Sequence, residues 1–402
     1  MTRRRAAIAL LMTCIALLTG CWDLREMNHL ALVMAVGIDK SETPGRFEVT
    51  VQIARPAGRA GSGSSAAGVG RAVYVATADG DTIFGAIRNL AQFTSRRIMW
   101  AHNNVVIIGD ALAREDITPV VDFFTRNQEL RMRTWIAVAR DAAARDVVAT
   151  NTGMEDVPAD SLSALLRYAQ LPGESVRVEI GDVAGAFFAT DANPVMPVIM
   201  LKPRALRSSD QPEEEEPTPQ AVLSGSAIIR KTRLVGYVER ETGRGLLWLR
   251  AQMKNAVLTI PCPEGKPGTL AVEIRSPKVK LRSSVGGQSP VMNVEVRTEA
   301  WLSEQGCPTP AMRASELKSY AAKALGEKIE AEMRATLKLL QQELKTDAIR
   351  YGRVLHIQHP DWWRKHGARW EEIFPKVKTR ISVAATIPKM SLYTRPVRAH
   401  TP

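Results

Sequence analysis

The sequence predicts an α+β protein of more than one domain, built from mixed and antiparallel sheets packed with helices. Three observations lead there. The 402 residues allow about two domains at roughly 100–200 residues each. The first half interleaves short apolar or alternating runs with stretches of helical spacing, without a strict repeat. The second half sets strands in succession and then places one amphipathic stripe of about 30 residues. Hydrophobic residues at 45% and charged residues at 24% are ordinary for a chain that buries a core. Fully disordered and fully membrane-embedded classes are excluded. Aromatics are only 5%, so the core rests on Val, Ile, Leu and Ala.

The first twenty-one residues are a targeting segment. Arg3, Arg4 and Arg5 precede an apolar run over 6–18, which is too short for the ~20 residues that span a bilayer. Leu18-Thr19-Gly20-Cys21 follows and looks like a bacterial lipobox. Cleavage is expected after Gly20, with Cys21 taking a diacylglycerol thioether, since its thiol is the strongest nucleophile there. Residues 1–20 are then a lipoprotein signal peptide, and the body is tethered outside the cytoplasmic membrane. The net charge of +12 would otherwise read as a nucleic-acid footprint. Export removes that partner. Residues 1–20 hold three arginines and no acid, so the chain from Cys21 carries +9 and faces anionic headgroups.

The elements follow in order. Residues 30–39 and 47–53 read as paired strands, with a turn over 41–45. Residues 56–70 are Gly, Ser and Ala rich. Their G-x-G-x-x-A match at 61–66 runs into another strand over 72–76, so they read as a loop and not a dinucleotide site. Helices are expected over 82–94, 117–128, 142–150 and 161–170, with strands over 105–109 and 135–139. The unbroken Val105-Val106-Ile107-Ile108-Gly109 suits a central strand. These make an N-terminal α+β domain over 21–207, which could itself subdivide. Residues 208–220 hold four consecutive Glu among prolines and form an acidic linker or loop.

A hairpin over 221–239 opens the C-terminal α+β domain, 221–392, before a tail over 393–402. A helix over 241–255 and strands over 257–260, 269–281 and 291–302 come next. Their alternation suits an antiparallel sheet covered on one face. Thr309 can cap the long helix, with Pro310 at its first position. Its stripe is Leu317, Tyr320, Ala324, Ile329, Met333, Leu337, Leu340 and Leu344. A strand over 377–387 closes the domain.

Reactive constellations are missing. No H-E-x-x-H, C-x-x-C, G-x-S-x-G or Walker motif occurs, and His356 and His359 are followed by Pro360. No metal, cofactor or enzymatic activity is expected. Of the four cysteines, Cys14 leaves with the signal and Cys21 takes lipid. Cys262 and Cys307 remain, and an exported location permits a disulfide between them. Trp362, Trp363 and Trp370 cluster ahead of the last strand, where they serve either as core or as a partner interface.

The residues behind the lipobox, Cys21-Trp22-Asp23-Leu24-Arg25-Glu26-Met27-Asn28, resemble the opening of the Ger(x)C family of spore germination lipoproteins. Further blocks match in order: Asp79-Gly80-Asp81-Thr82-Ile83, Arg96-Arg97, the run from Ala101 to Gly109, Leu112-Ala113-Arg114, Asp122 to Arg126, and Glu129-Leu130-Arg131. Gln341, Asp347, Gly352, Trp362 or Trp363, Trp370 and Phe374-Pro375 complete the set. Where the family has an Asp-Ile-Phe-Gly-Phe-Gly-like stretch, this chain has Asp347-Ala348-Ile349-Arg350-Tyr351-Gly352.

The resemblance implies a non-enzymatic C subunit of a nutrient germinant receptor on the outer leaflet of the inner spore membrane. It would organise membrane-embedded A and B subunits, meeting the nutrient only indirectly if at all. The alternative is a lipid-anchored solute-binding protein, which alternating β-α units in two lobes would favour. An exported hydrolase comes third.

Overall fold

The computed structural model describes Arg4 and residues 30–54, 73–150, 153–203, 219–286, 289–307 and 313–390. The lipobox, residues 56–70 and most of the acidic segment lie outside the described residues. Nine strands build the first sheet: β1 (Leu30–Lys40), β2 (Phe47–Ala54), β3 (Val73–Gly80), β4 (Arg97–Met99), β5 (Val105–Gly109), β6 (Trp135–Ala139), β7 (Val195–Pro203), β8 (Pro219–Arg230) and β9 (Arg233–Val238). Their order is β3-β2-β1-β5-β6-β7-β8-β9, with β4 beside β1. The inner strands β1, β5, β6 and β7 run parallel, and antiparallel hairpins flank them.

Burial on both faces explains the apolar run over Val105–Gly109, all of it buried. Val106 and Ile108 face one core, which includes Ile83, Val120, Phe124 and Val183. Val105 and Ile107 face the other, with Ala144, Val147 and Leu162. The helices involved are α1 (Ile83–Leu90), α2 (Asp110–Glu115), α3 (Thr118–Arg126), α4 (Ala144–Ala149), α5 (Pro158–Arg167) and α6 (Ile180–Phe188). Gly109 is sterically required: a Cβ there would lie 2.0 Å from Asp39 Oδ1. That carboxylate accepts from the Ala144 and Arg145 N–H groups, each at 2.8 Å, and caps α4.

Strands on both sides of residues 208–220 share this sheet. β7 and β8 pair antiparallel with Pro203 opposite Pro219, so the acidic segment lies in the connection of one hairpin.

The second sheet has the order β10 (Val257–Pro261), β11 (Thr269–Gly286), β12 (Ser289–Gln305) and β13 (Lys378–Met390). β10, β11 and β12 pair antiparallel, but β13 joins β12 in parallel. The three strands expected to alternate pair antiparallel, and the closing strand makes the sheet mixed. A parallel neighbour needs a crossover, and the helical segment between β12 and β13 supplies it.

Its main part is α8 (Ala314–Lys338), which starts later than expected. The Arg313 N–H donates to Glu316 Oε2 at 2.9 Å and sets the start, whereas Thr309 and Pro310 lie outside the described residues. The buried stripe is Leu317, Ala321, Leu325, Ile329, Met333 and Leu337. Tyr320 and Ala324 sit one position off it and are half-buried. A further helix, α7 (Arg240–Leu249), crosses α8 closely: a Cβ on Gly245 would stand 2.3 Å from the Glu332 carbonyl oxygen. Beside that crossing Arg244 Nη2 meets buried Glu332 at 2.7 Å.

Candidate functional site

After α8, a π-turn over Leu339–Glu343 leads into a loop that folds around one carboxylate. Asp347 is fully enclosed. Its Oδ1 accepts from the N–H groups of Ile349 at 3.2 Å and Tyr351 at 3.1 Å. Its Oδ2 accepts from the Gly352 N–H at 2.7 Å and the Trp370 indole Nε1–H at 2.9 Å. Three of these donors belong to the loop and first turn of α9 (Tyr351–Gln358), so Asp347 acts as a cap from the preceding loop. Burial is the largest influence on this carboxyl and raises it above the usual carboxylate range, while the four donors pull the other way. The guanidinium of Arg250, also buried, donates to the Ala348 carbonyl, and burial pushes its pKa down.

Arg350 adopts φ +63°, the left-handed region. It stands at the position of the first Gly in the family's Asp-Ile-Phe-Gly-Phe-Gly-like stretch, and only a residue tolerating that backbone closes this turn. The second Gly, Gly352, is held by contact. A Cβ would meet the Asp191 carbonyl oxygen at 2.7 Å, Trp370 Nε1 at 2.8 Å and Trp363 Cη2 at 3.0 Å.

The remaining motif residues gather on this node. Helix α10 (Pro360–His366) carries Trp362 and Trp363, and the short α11 (Trp370–Ile373) carries Trp370. The Trp363 and Trp370 rings lie 5.5 Å apart, and Trp370 and Phe374 lie 5.9 Å apart. His356 stacks on Trp363 with an interplanar angle of 18°, and its Nδ1 lies 2.8 Å from Asp191 Oδ2. Gln341 Nε2 donates to the carbonyls of Phe374 at 3.0 Å and Val377 at 2.9 Å. Trp362, Trp363 and Trp370 are 9%, 6% and 5% exposed. Their rings are packed within the molecule.

A cleft of about 760 Å³ opens beside the node. Trp370 and its neighbours 367–372 form one wall. Val121 and Asp122 of α3, and Phe187 and Phe188 of α6, form the other. Phe188 stands on the rim at 87% exposure. Lys231, at the β8–β9 turn, reaches Glu371 at 3.4 Å and ties the two sides. The arrangement suits an amphipathic group, with apolar walls and charges of both signs. Among the described residues no group of three or more His, Cys, Asp or Glu could hold a metal ion.

The sequence reading missed Phe187 and Phe188, because Gly181 and Gly185 obscure α6. The available signal was Glu179 and Asp182, which form a capping box at its start. Elsewhere, Cys262 and Cys307 are joined as a disulfide with Cα atoms 5.7 Å apart. Gly20 and Cys21 lie outside the described residues. No described helix is long and apolar enough to cross a membrane.

The two sheets, the crossover helix and the carboxylate-centred node define an α+β body whose motif residues pack together in one unit. Residues 23–201 match the family model described as "Spore germination protein N-terminal domain". Residues 224–390 match "Spore germination B3/ GerAC like, C-terminal". The chain belongs to the Ger(x)C family of spore germination proteins. It is 26% identical over 408 residues to spore germination protein KC of Bacillus subtilis (strain 168), covering 99% of this chain and 98% of the relative. Spore germination protein B3 of the same organism is 24% identical over 374 residues, covering 92% and 94%. The crystal structure of the GerBC protein shares the fold with a TM-score of 0.56 at 20% identity, covering 91% of this chain and 100% of that one.

Proposed function

We propose that this chain is the lipid-anchored, non-enzymatic C subunit of a nutrient germinant receptor. It is held on the outer leaflet of the inner spore membrane by a diacylglycerol on Cys21, and it organises two membrane-embedded subunits, A and B. One observation carries the reading: both family domains occur in order over 23–201 and 224–390, directly behind Leu18-Thr19-Gly20-Cys21. The acidic segment 208–220 acts in this reading as a loop, in keeping with the antiparallel pairing of β7 and β8 that flank it.

A solute-binding lipoprotein is not favoured. That class needs two lobes of alternating units around a ligand. Here a single sheet runs through the first half and takes in β8 and β9.

Two measurements test the proposal. Labelling with a fatty-acid probe is expected to mark the chain, and Cys21→Ala is expected to abolish both label and membrane association. A tagged chain drawn from spore membranes is expected to bring two multi-span membrane proteins with it. Label retained by Cys21→Ala overturns the anchor, and recovery of the chain alone overturns the subunit role.

A further inference from the structure

The second sheet has two unlike faces. One is packed beneath α8. The other alternates outward along β11, β12 and β13 and stays exposed or half-buried. The register assembles its side chains. Arg282 stands opposite Asn293, which stands opposite Arg380. In the next rows Lys280 faces Glu295 and Ser382, and Lys278 faces Arg297 and Ala384. At the near end Val291 has Lys378 beside it.

Six cations thus share a patch three strands wide: Lys278, Lys280, Arg282, Arg297, Lys378 and Arg380. Glu295 lies within it, and Glu299 and then Glu273, opposite Trp301, stand in the rows beyond it. None of the six cations has an ion-pair partner within 4.0 Å among the described residues, whereas the neighbouring Arg275 is paired with Glu273 at 2.8 Å. Lys278 directly opposite Arg297 is a like-charge pair, which weakens a sheet. Folding alone gives no reason for that arrangement.

At the far end of the face stands Trp301, 37% exposed, with the Arg275 guanidinium 4.5 Å above its ring. An amphipathic ring beside a field of cations matches the headgroup level of a bilayer, where Trp is enriched and each nearby basic residue is attracted to anionic lipid. A sheet face broad enough to lie on a plane suits that surface better than it suits a groove or strand.

We infer that the outer face of the β11-β12-β13 sheet docks on an anionic phospholipid surface. The inference rests on the anchored reading, in which the nine residue steps from Cys21 to Leu30 reach at most about 30 Å and hold the body near the bilayer.

The test uses the full chain extracted from membranes and returned to vesicles of phosphatidylcholine alone or mixed with phosphatidylglycerol. Flotation reports attachment, and lysine acetylation read by mass spectrometry reports the face. Lys278, Lys280 and Lys378 are expected to react about fivefold more slowly on phosphatidylglycerol vesicles, a factor matching the attraction of one basic residue. Lys323 of α8, which is exposed, is expected to react equally on both. The triple variant Lys278→Glu, Arg282→Glu, Arg380→Glu should lose the difference at unchanged Tm. Should it fail to fold, Arg380→Glu alone is read the same way.

Flotation only with phosphatidylglycerol vesicles, together with the protection, supports the face and overturns the anchor. Flotation with neither vesicle overturns both. Equal rates on the two vesicles overturn the face while leaving the anchor standing. Protection by heparin or DNA without protection by vesicles overturns it in favour of another polyanion.

Discussion

The indole Nε1–H of Trp370 reaches back across 23 residues to donate to Asp347 Oδ2 at 2.9 Å, inside the molecule. This bond joins the loop after α8 to the segment that walls the cleft. Trp370→Phe keeps a ring in place but removes the donor. It is expected to lower stability by about 2 kcal/mol, the usual weight of a hydrogen bond to a charged group. Urea unfolding of the two proteins checks it; an unchanged midpoint would show that the bond is not made.

Gly352 has no space for a side chain. Gly352→Ala is expected to cost about 1–3 kcal/mol, because the nearest obstacle is the Asp191 backbone oxygen at 2.7 Å, which cannot rotate away. The same denaturation experiment reads it, and a neutral result would contradict the packing of this node.

Arg350 gives the opposite sign. At φ +63° a side chain costs about 1–2 kcal/mol relative to the right-handed region. Arg350→Gly is expected to raise Tm slightly, since it also removes a cation whose charge acts on Arg250. A fall in Tm would mean that the arginine side chain holds the turn in another way.

The disulfide closes 45 residues between Cys262 and Cys307. In the chain-entropy model its removal costs about 4 kcal/mol. Intact mass before and after reduction and alkylation tests the bond, and Cys262→Ser with Cys307→Ser tests its weight. Two thiols that alkylate without reductant would disprove it.

Asp39 makes a pH prediction. Burial, the largest influence, raises its folded pKa, although the Ala144 and Arg145 N–H groups oppose the shift. A carboxyl raised on folding contributes stability that is full below its unfolded value and is lost as pH rises through the folded value. Asp39→Asn lacks that term. It is expected to be less stable overall, with the gap to the parent narrowing as pH rises from the ordinary carboxylate range. Melting curves across that window decide; a widening gap would mean a lowered pKa.

Much of this fold could be read from the sequence. Trp135–Ala139 and Val105–Gly109 are strands because runs of Val and Ile buried on both faces leave few other choices. Less legible elements carry conflicting local signals. In β7, Pro197 removes a donor, and the sheet accommodates it where its register with β8 shifts. In α6, two glycines hide a helix that tertiary packing stabilises. The long helix was visible, but its stripe was misplaced by one residue in the first turns. Tyr320 there turns aside to donate from its hydroxyl to the carbonyls of Pro261 and Cys262, each at 3.2 Å.

The cleft was the least visible feature, since its walls come from segments far apart in sequence. The motif residues were visible one by one. Only the fold shows that Gln341, Asp347, Gly352, Trp363, Trp370 and Phe374 form one packed unit.

The parallel union of β12 with β13 has a genetic consequence. One edge strand of the second sheet is the last described element, Lys378–Met390. A frameshift or premature stop shortly before it would spare every other described element. It would still leave the 17-residue β12 with an uncovered row of amides, open to pairing with a second copy. Late truncations of this gene should therefore behave as aggregating nulls and not as mild alleles.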